Sequence, residues 1–529
     1  MTKLSKHSKI LTMKHIVEQK KGSSIYVYEI ESYWDSEKKQ PRQRRLYLGK
    51  KKTADGPLIP KRVAATTVPR LCCDFGNVYL LREIAKRIGL VDVLRQALPD
   101  DAELLLLLAM YEVIEEDPMY LFPAWADDVT HELKTIPSSA RLSELLQELG
   151  VNDRKRESFM QKWMKKHADS EAVIYDITSI SSHSRFIDLC EWGYNRDGEK
   201  LPQINLGLVC TLPGQIPLAY RIHSGSLSDV STLQGTIKYL KSLGISSPLY
   251  VMDRGFWSKK NISYMNKAYL RFVMPIPLAN SCATDLMAQV SHTLRCPNNV
   301  LRVQNRIYYH QKMPLVMDTV SLNSHIYYDH QRQVDEENTF WRRILDIEDA
   351  VAELGTSSIS KVQQFLNNSA PDIRSCFEII STDEIVQLQR KPKALSRRLN
   401  RMGFLLLATT ENFTKPAACL HHYRQRDMIE KIIDSMKHEM DGKRLRVHGK
   451  EAMEGRLFMM FLAMILRCAV EQACRDAQLF KTYSVAEIFA ELKKVKKIEL
   501  SDGKSMITEL TKKQCDLYTA MKVDLPEQA

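Results

Sequence analysis

Two apolar stretches that each close on an aspartate constrain the fold of this chain more than any other feature. Residues 171–178 are predicted to form a short strand that runs into Asp176. Residues 248–252 are predicted to form another, followed at once by Asp253 and a glycine turn. Strands that are apolar on both faces lie inside a sheet covered on both sides. The pattern therefore predicts a buried sheet that delivers two aspartates to its edge.

The segment between these strands predicts how the sheet is connected. Residues 204–212 and 216–222 read as two strands around the turn Pro213-Gly214-Gln215, and Asp229 is placed to cap a following helix. The order is therefore strand, hairpin, helix, strand. That is the order of an RNase H-like fold, in which the two aspartates lie on neighbouring strands.

A third acidic residue lies far downstream on a predicted helix. Residues 417–440 contain no Gly or Pro, and apolar residues recur at helical spacing. At about 100° per residue, four polar residues share an arc of about 60° beside the buried stripe. They are Tyr423, Arg426, Glu430 and Lys437. From the residues alone, a solvated face with incidental ion pairs remains open beside a metal-and-phosphate site.

The spacing of these four residues resembles a known signature. Tyr, two residues, Arg, three residues, Glu, six residues and Lys is the YREK signature of insertion-sequence transposases with a DDE triad, the insertion-sequence-four-like group. Ordered blocks in residues 170–275 also look like those of this family. They are 175–178, 193–197, 201–204, 214–218 and 253–255. The resemblance covers roughly residues 170–275 and 400–475, and the flanks more loosely.

The resemblance implies roles for specific residues. Asp176, Asp253 and Glu430 are expected to be the catalytic carboxylates and the ligands of Mg²⁺, with Mn²⁺ as a possible substitute. Hard cations of this kind prefer oxygen ligands and retain several waters. Two cations about 4 Å apart polarise both the attacking and the leaving oxygen of a phosphodiester.

The other members of the signature are expected to hold DNA. Tyr423, Arg426 and Lys437 are the expected DNA-binding residues, since a guanidinium matches phosphate as a planar fork and an ammonium as a point charge. Thr178 and Arg254 lie beside the triad in sequence and are expected to orient it.

Charge is distributed unevenly along the chain. The formal net charge is +12 over 529 residues, and residues 1–70 carry 17 Lys and Arg against 6 Asp and Glu. Residues 99–150 carry 2 against 12. A basic arm is typical of a polyanion partner, although solvated basic termini are common. The 11 cysteines show no metal-binding spacing and are expected to be reduced thiols.

The fold class expected is mixed α/β, an RNase H-like core sheet interrupted by an insertion domain. An N-terminal hairpin and helical region precedes this core, and a helical tail follows it. The expected divisions are a basic hairpin and arm at 1–70, a helical DNA-binding region at 77–166, the first segment of the RNase H-like core at 170–279, an insertion domain at 280–402, the second segment of that core at 403–475, and a helical tail at 476–529.

Two basic regions have alternative interpretations. Aromatic residues in the N-terminal hairpin alternate with lysines and arginines that either grip DNA backbone or form a charged hairpin tip. Residues 390–401 contain six Lys and Arg and no acid. This run either lines the DNA path or forms a solvated helix face.

The function expected is that of an insertion-sequence transposase. It would bind terminal inverted repeats as a homodimer, cleave DNA with a divalent metal and transfer strands into target DNA. The alternatives are a metal-dependent DNA nuclease of the same fold and a domesticated DNA-binding protein. No apolar run is expected to cross a membrane, and the expected location is the cytoplasm, at the nucleoid of a prokaryote.

Overall fold

The computed structural model describes residues 14–35, 38–61, 68–115, 117–167, 170–212, 214–245, 248–355, 358–381, 386–440 and 442–527. The chain divides into two units, one made of residues 1–71 and 498–506 and the other of the remainder. Residues 1–13 and 62–67 of the predicted basic hairpin and arm, and Pro213 of the predicted turn, lie outside the described residues.

An antiparallel sheet forms the N-terminal unit. Its strands, in the order in which they pair, are β1 (Lys14–Lys21), β2 (Ser24–Asp35), β3 (Gln40–Lys51) and β4 (Ile59–Pro60). The predicted hairpin corresponds to β2 and β3, which pair from Asp35 opposite Gln40 onward. Val27 and Ile30 are buried, whereas the first seven residues of β3 are exposed. DNA binding by this basic edge stays a prediction.

Helices dominate the start of the larger unit. A strand, β5 (Pro69–Asp74), contains the boundary between the two units. It is followed by α1 (Gly76–Arg87), α2 (Leu90–Ala97), α3 (Ala102–Ile114), α4 (Phe122–Asp128), α5 (Ser139–Val151) and α6 (Asp153–Lys166). Gly89 adopts φ 76° between α1 and α2, a left-handed conformation that glycine enters without steric cost. The predicted helical region is therefore present, and its role in DNA binding stays a prediction.

A large mixed sheet follows and carries the first two aspartates. Its first elements are β6 (Ala172–Ser182), β7 (Gln203–Leu212), β8 (Pro217–Ser224), α7 (Asp229–Ser242), β9 (Leu249–Met252), α8 (Lys259–Lys267) and β10 (Arg271–Pro275). The spatial order is β8-β7-β6-β9-β10, with β6 to β8 antiparallel and β9 and β10 parallel to β6. This is the predicted RNase H-like arrangement.

The middle of the chain both extends this sheet and builds a second core. Its elements are α9 (Ser281–Val290), β11 (Val300–Val303), β12 (Arg306–Met317), β13 (Val320–Tyr328), α10 (His330–Glu353), α11 (Ile359–Ser369), β14 (Phe377–Ser381), β15 (Val386–Arg390), α12 (Pro392–Leu399) and β16 (Phe404–Thr409). Strands β11 to β13 continue the large sheet through β16, which pairs with β10. A separate hydrophobic cluster forms between residues 340 and 395.

The last elements of the chain are mostly helices. Its elements are α13 (Pro416–Arg424), α14 (Asp427–His438), β17 (Arg444–Leu445), α15 (Lys450–Asp476), α16 (Val485–Leu492), β18 (Lys496–Leu500), β19 (Ser505–Ile507) and α17 (Lys512–Ala520). The tail is thus not wholly helical, because β18 and β19 pair with each other and β18 with β5. The mixed α/β class is confirmed.

One long helix, α15, packs at the centre of the larger unit. A Cβ on Gly455 would lie 2.0 Å from the Leu146 carbonyl oxygen, so glycine permits the close approach of α15 and α5. Among the described residues α15 alone is long and apolar enough to cross a membrane, and 83% of its most apolar window is buried inside the protein. That burial is typical of a core helix.

Candidate active site

The two predicted aspartates lie side by side on adjacent strands, Asp176 within β6 and Asp253 directly after β9. Strands β6 and β9 run parallel, and Tyr175 pairs with Met252. The next residues along the chain are Asp176, still within β6, and Asp253, directly after β9. All four residues of β9 are buried, so the chain first meets solvent at Asp253. This register confirms that the two strands bring the carboxylates together, but the prediction that each strand ends on its aspartate is wrong for Asp176, because β6 continues to Ser182.

Asp176 sits in a strongly desolvated position. It is the one residue of β6 that is not fully buried, and its Oδ1 accepts a hydrogen bond from the backbone N–H of Ile177 at 2.8 Å. Burial raises the pKa of Asp176 to about 6, and the neighbouring Asp253 adds to the increase. The Ile177 N–H and the charges of Arg426 and Arg196 oppose it. A bound cation would favour the ionised form.

Arg426 joins the second aspartate to the predicted glutamate. Its guanidinium lies 3.3 Å from Asp253 Oδ1 and 2.8 Å from Glu430 Oε1. It also lies over the Tyr423 ring, with its Cζ 5.6 Å from the ring centroid. Its Nε is buried and has no hydrogen-bond partner among the described residues. Four of the six predicted site residues therefore meet around one guanidinium, and Asp176 lies next to them.

The prediction of one continuous helix through the signature is wrong. Two helices, α13 and α14, meet at Gln425 and Arg426. At the junction the N–H groups of Met428 and Ile429 donate to carbonyls three residues earlier, those of Gln425 and Arg426. Such tight bonds keep the residues near helical geometry, so apolar periodicity continues across the break and does not reveal it.

The break changes where Glu430 sits. It places Glu430 in the first turn of α14, together with Asp427. The positive end of the helix dipole stabilises a carboxylate there, by roughly 0.3–1 kcal/mol for an exposed group. The Glu430 side chain is 53% exposed, so it remains accessible to a ligand.

Lys437 lies away from the three carboxylates. Its side chain is 5% exposed, and its Nζ is 2.6 Å from Asp197 Oδ2. Seven residues separate Lys437 from Glu430, which is two helical turns. Five of the six predicted residues thus lie together. The sixth, Lys437, forms an internal ion pair with Asp197. Phosphate binding by Lys437 stays a prediction.

Asp197 belongs to a segment that ties several elements to β6. Asn195 Nδ2 donates to Ser181 Oγ at 3.0 Å, and the backbone N–H of Arg196 donates to Ser179 Oγ at 3.0 Å. The segment's other ion pairs join Arg196 to Asp229 of α7, and Glu199 to both Lys443 and Arg444.

Sequence reasoning assigned this segment no role, although 193–197 stood out as a block. The signal available was the run of serines on an otherwise apolar strand. Ser179, Ser181 and Ser182 are buried in β6. Buried hydroxyls require hydrogen-bond partners, which the polar residues of a nearby loop supply here.

The three carboxylates have the donor chemistry for a divalent cation. Asp176, Asp253 and Glu430 provide the oxygen ligands that Mg²⁺ prefers. Among the described residues, however, no three His, Cys, Asp or Glu side chains are arranged to hold a metal ion. Arg426 supplies the positive charge between Asp253 and Glu430 instead. The donor chemistry therefore fits the cation, provided that Arg426 withdraws from between the two carboxylates.

Comparison with known proteins gives one informative match. A family model described as the transposase DDE domain matches residues 167–466, which contain all six predicted site residues. A cryo-EM structure of a piggyBac transposase synaptic complex with hairpin DNA is similar over 78% of this chain and 70% of that one, at 10% identity and a TM-score of 0.33. A similarity that distant supports no conclusion about this chain. No curated protein matches the chain significantly.

Proposed function

The chain belongs to the family of DDE-domain transposases, and from that premise we propose that it is the transposase of an insertion sequence in the group that bears the YREK signature. It would bind terminal inverted repeats, cleave DNA at their ends and transfer the strands into target DNA. One observation carries the proposal. Asp176 lies within β6 beside the end of the parallel strand β9, which Asp253 directly follows, and Arg426 links Asp253 to Glu430.

The three carboxylates would hold the divalent metal on which DDE transposases generally depend. Bound Mg²⁺ or Mn²⁺ would supply charge neutralisation and polarise the attacking and leaving oxygens. The protein's own contribution is placement. The rigid register of β6 and β9 sets Asp176 beside Asp253, and the first turn of α14 presents Glu430 from the opposite side of Arg426.

The remaining signature residues would grip the DNA strand next to the cleaved bond. Arg426 is suited to bind a phosphate, because its terminal nitrogens face the site beside Asp253 and Glu430 and can donate hydrogen bonds as a planar fork. Tyr423 packs beneath this guanidinium, and burial raises the pKa of its phenol, which therefore remains neutral. Lys437 would reach a phosphate only after leaving Asp197.

The proposed partners follow from this reaction. They are double-stranded DNA with the terminal repeats, target DNA and a second copy of the chain in a synaptic homodimer. The proposed location is the cytoplasm of a prokaryote, at the nucleoid. A hairpin intermediate is one route by which family members proceed, and the proposal does not depend on it.

Cleavage of a labelled duplex that carries the element's own terminal repeat tests the proposal. The wild type is expected to nick at the repeat boundary with Mg²⁺, and Glu430→Gln is expected to bind the duplex without nicking it. Lys431→Gln, on the exposed side of the same helix, is the matched control and should nick normally. Nicking that ignores the repeat would favour a nuclease instead. Binding without nicking by wild type, with target and partner end supplied, would favour a domesticated DNA-binding protein.

A further inference from the structure

A cleft rich in arginine opens beside the catalytic edge of the sheet. It has a volume of about 1050 Å³ and lies between the second core, the loop after β10 and the turn that follows Asp253. Its charged lining consists of Arg254, Arg332, Arg397, Arg398, Arg401 and Glu336. Five cations therefore face one carboxylate across this space.

The single carboxylate does not neutralise the cleft. Glu336 Oε1 accepts from Arg332 at 2.7 Å, and its Oε2 accepts from the Gly403 N–H at 2.8 Å. Arg398 bonds to the backbone carbonyl of Asp372 and lies 3.8 Å from its carboxylate. These contacts account for two of the five arginines.

The other three arginines have no acidic partner in the part of the chain that the structure describes. Among the described residues, Arg254, Arg397 and Arg401 form no ion pair. Three unpaired guanidiniums around one concavity raise the local potential, which attracts an anion. The negative end of the α12 helix dipole lies at its last turn. Arg397 and Arg398 lie in that turn, and their positive charges offset the dipole there.

The arginines come from two elements that are fixed independently. Arg254 begins the short 3-10 turn directly after Asp253, so one wall of the cleft is continuous with the catalytic edge. Arg397 lies on α12, which Leu395 anchors in the second core, and Arg401 follows the end of that helix. The charged lining therefore extends from Arg254, next to Asp253 in the chain, to Arg397 and Arg401 beside the second core.

We propose that this cleft binds the sugar–phosphate backbone of DNA next to the phosphodiester that is cleaved. A row of separated guanidiniums, each able to make two parallel hydrogen bonds to phosphate oxygens, fits successive phosphates better than one small anion. Contacts of this type position DNA and carry no base information. The inference rests on the proposed function, because it assigns to the cleft the same DNA that the carboxylates would cut.

The salt dependence of DNA binding tests the proposal. Affinity would be measured by fluorescence anisotropy on the full-length protein, from about 50 to about 300 mM KCl, with a labelled duplex carrying the terminal repeat. The test variant is Arg254→Ala/Arg397→Ala/Arg401→Ala. The matched control is Arg342→Ala/Lys361→Ala/Arg374→Ala, which removes equal charge from exposed positions that do not line the cleft.

Three lost phosphate contacts have a calculable signature. The slope of log affinity against log salt should decrease in magnitude by about 2.7, or roughly 0.9 per contact. Affinity at low salt should fall on the order of 10- to 100-fold, equally for repeat and unrelated duplexes. The control triple variant should change the slope by less than about 0.5. Equal slopes for the two triple variants would overturn the proposal.

Replacing single phosphates with uncharged groups would show which phosphates the cleft contacts. Duplexes with single methylphosphonates would be scanned outward from the cleavage site. In the wild type, two or three consecutive neutralised phosphates on one side should weaken binding, and the cleft variant should be insensitive to the same changes. Sensitivity that persists in the cleft variant would contradict the proposal.

The outcomes separate the two proposals. Cleavage at the repeat boundary together with an unchanged salt slope would retain the transposase and reject the cleft. A reduced slope in a protein that never cleaves would retain the cleft and reject the transposase. Circular dichroism spectra and urea unfolding of both triple variants would show that a loss of binding is not a loss of fold.

Discussion

Two groups of cations lie within the same larger unit and differ in what they face. Arg426 and Lys437, in the catalytic group, have side chains only 13% and 5% exposed and are bonded to Asp253, Glu430 and Asp197. In the cleft, Arg254 and Arg397 are exposed and have no acidic partner among the described residues. A buried paired cation fixes geometry, whereas an exposed unpaired one is available to a polyanion.

This difference suggests that the buried cations stabilise the fold, whereas the exposed cations bind DNA. Removing one member of a buried pair leaves the other charge uncompensated, which destabilises the fold. Removing an exposed cation leaves the fold intact and weakens only the binding of the ligand. The two groups should therefore separate cleanly when stability, DNA binding and cleavage are measured in the same variants.

The largest effect is expected from Asp176→Asn. Cleavage should fall at least about 1,000-fold, as for other residues of a catalytic unit. The free energy of unfolding, in contrast, should increase. The pKa of Asp176 is raised to about 6 in the fold, so its ionisation opposes folding above that pH.

The difference in unfolding free energy between Asp176→Asn and the wild type should depend on pH. In metal-free buffer at about pH 7.5, Asp176→Asn should unfold with a free energy roughly 1–3 kcal/mol above that of the wild type. The advantage should shrink as pH falls from about 6 towards about 4, where the carboxyl is protonated in the folded state and increasingly so in the unfolded one. Urea titrations at several pH values measure it, and a variant that is less stable than the wild type at the higher pH would contradict the assignment.

The next effect is expected from the pair of Asp197 and Lys437. Asp197→Ala would leave a buried ammonium without a partner and lower the unfolding free energy by about 3 kcal/mol. Asp197→Ala/Lys437→Met should recover most of that loss, because both charges are then gone. A single variant that unfolds like the wild type would show that the pair is not structural.

A smaller effect is expected from Arg426→Gln. Removing the cation between Asp253 and Glu430 should make Mn²⁺ bind roughly 3- to 10-fold more tightly in the absence of DNA, while cleavage falls. Calorimetric titration with Mn²⁺ measures the affinity. Arg424→Gln, whose side chain reaches Tyr308 instead, is the matched control. Identical Mn²⁺ affinity in wild type and Arg426→Gln would mean that this arginine does not compete with metal.

The smallest effect is expected from Arg397→Ala. Its unfolding free energy should stay within about 0.5 kcal/mol of the wild type, as for most surface substitutions. The salt slope of DNA binding should still decrease by about 1. Stability loss without a change in slope would place Arg397 with the paired, structural cations and break the comparison.

Much of the fold could be predicted because its signals are local. The strands that carry Asp176 and Asp253 are apolar runs bounded by turn residues, and periodicity identified the region of Glu430. The mixed α/β class follows from the order of these elements. What remained open was pairing over long sequence separations. Strands β11 to β13, expected within an insertion, pair onward through β16 into the large sheet.

The site was harder to predict in its details. The break at Gln425 and Arg426 leaves no trace in apolar spacing, because residues on both sides stay nearly helical. The partner of Lys437 is 240 residues away, and no local pattern identifies it. A cation on a polar arc predicts a charge near the site, and only the tertiary fold decides whether that charge meets a carboxylate or solvent.

Measuring DNA binding and cleavage in the same variants tests most directly whether the catalytic group and the cleft have different roles. Glu430→Gln and a cleft variant that spares Arg254, Arg397→Ala/Arg401→Ala, would be compared with wild type on one repeat-bearing duplex with Mg²⁺. Glu430→Gln is expected to bind as the wild type does and to cleave nothing. The cleft variant is expected to bind weakly and to recover cleavage when protein is raised to saturation. Residual cleavage by Glu430→Gln, or a cleft variant that binds normally, would contradict the account.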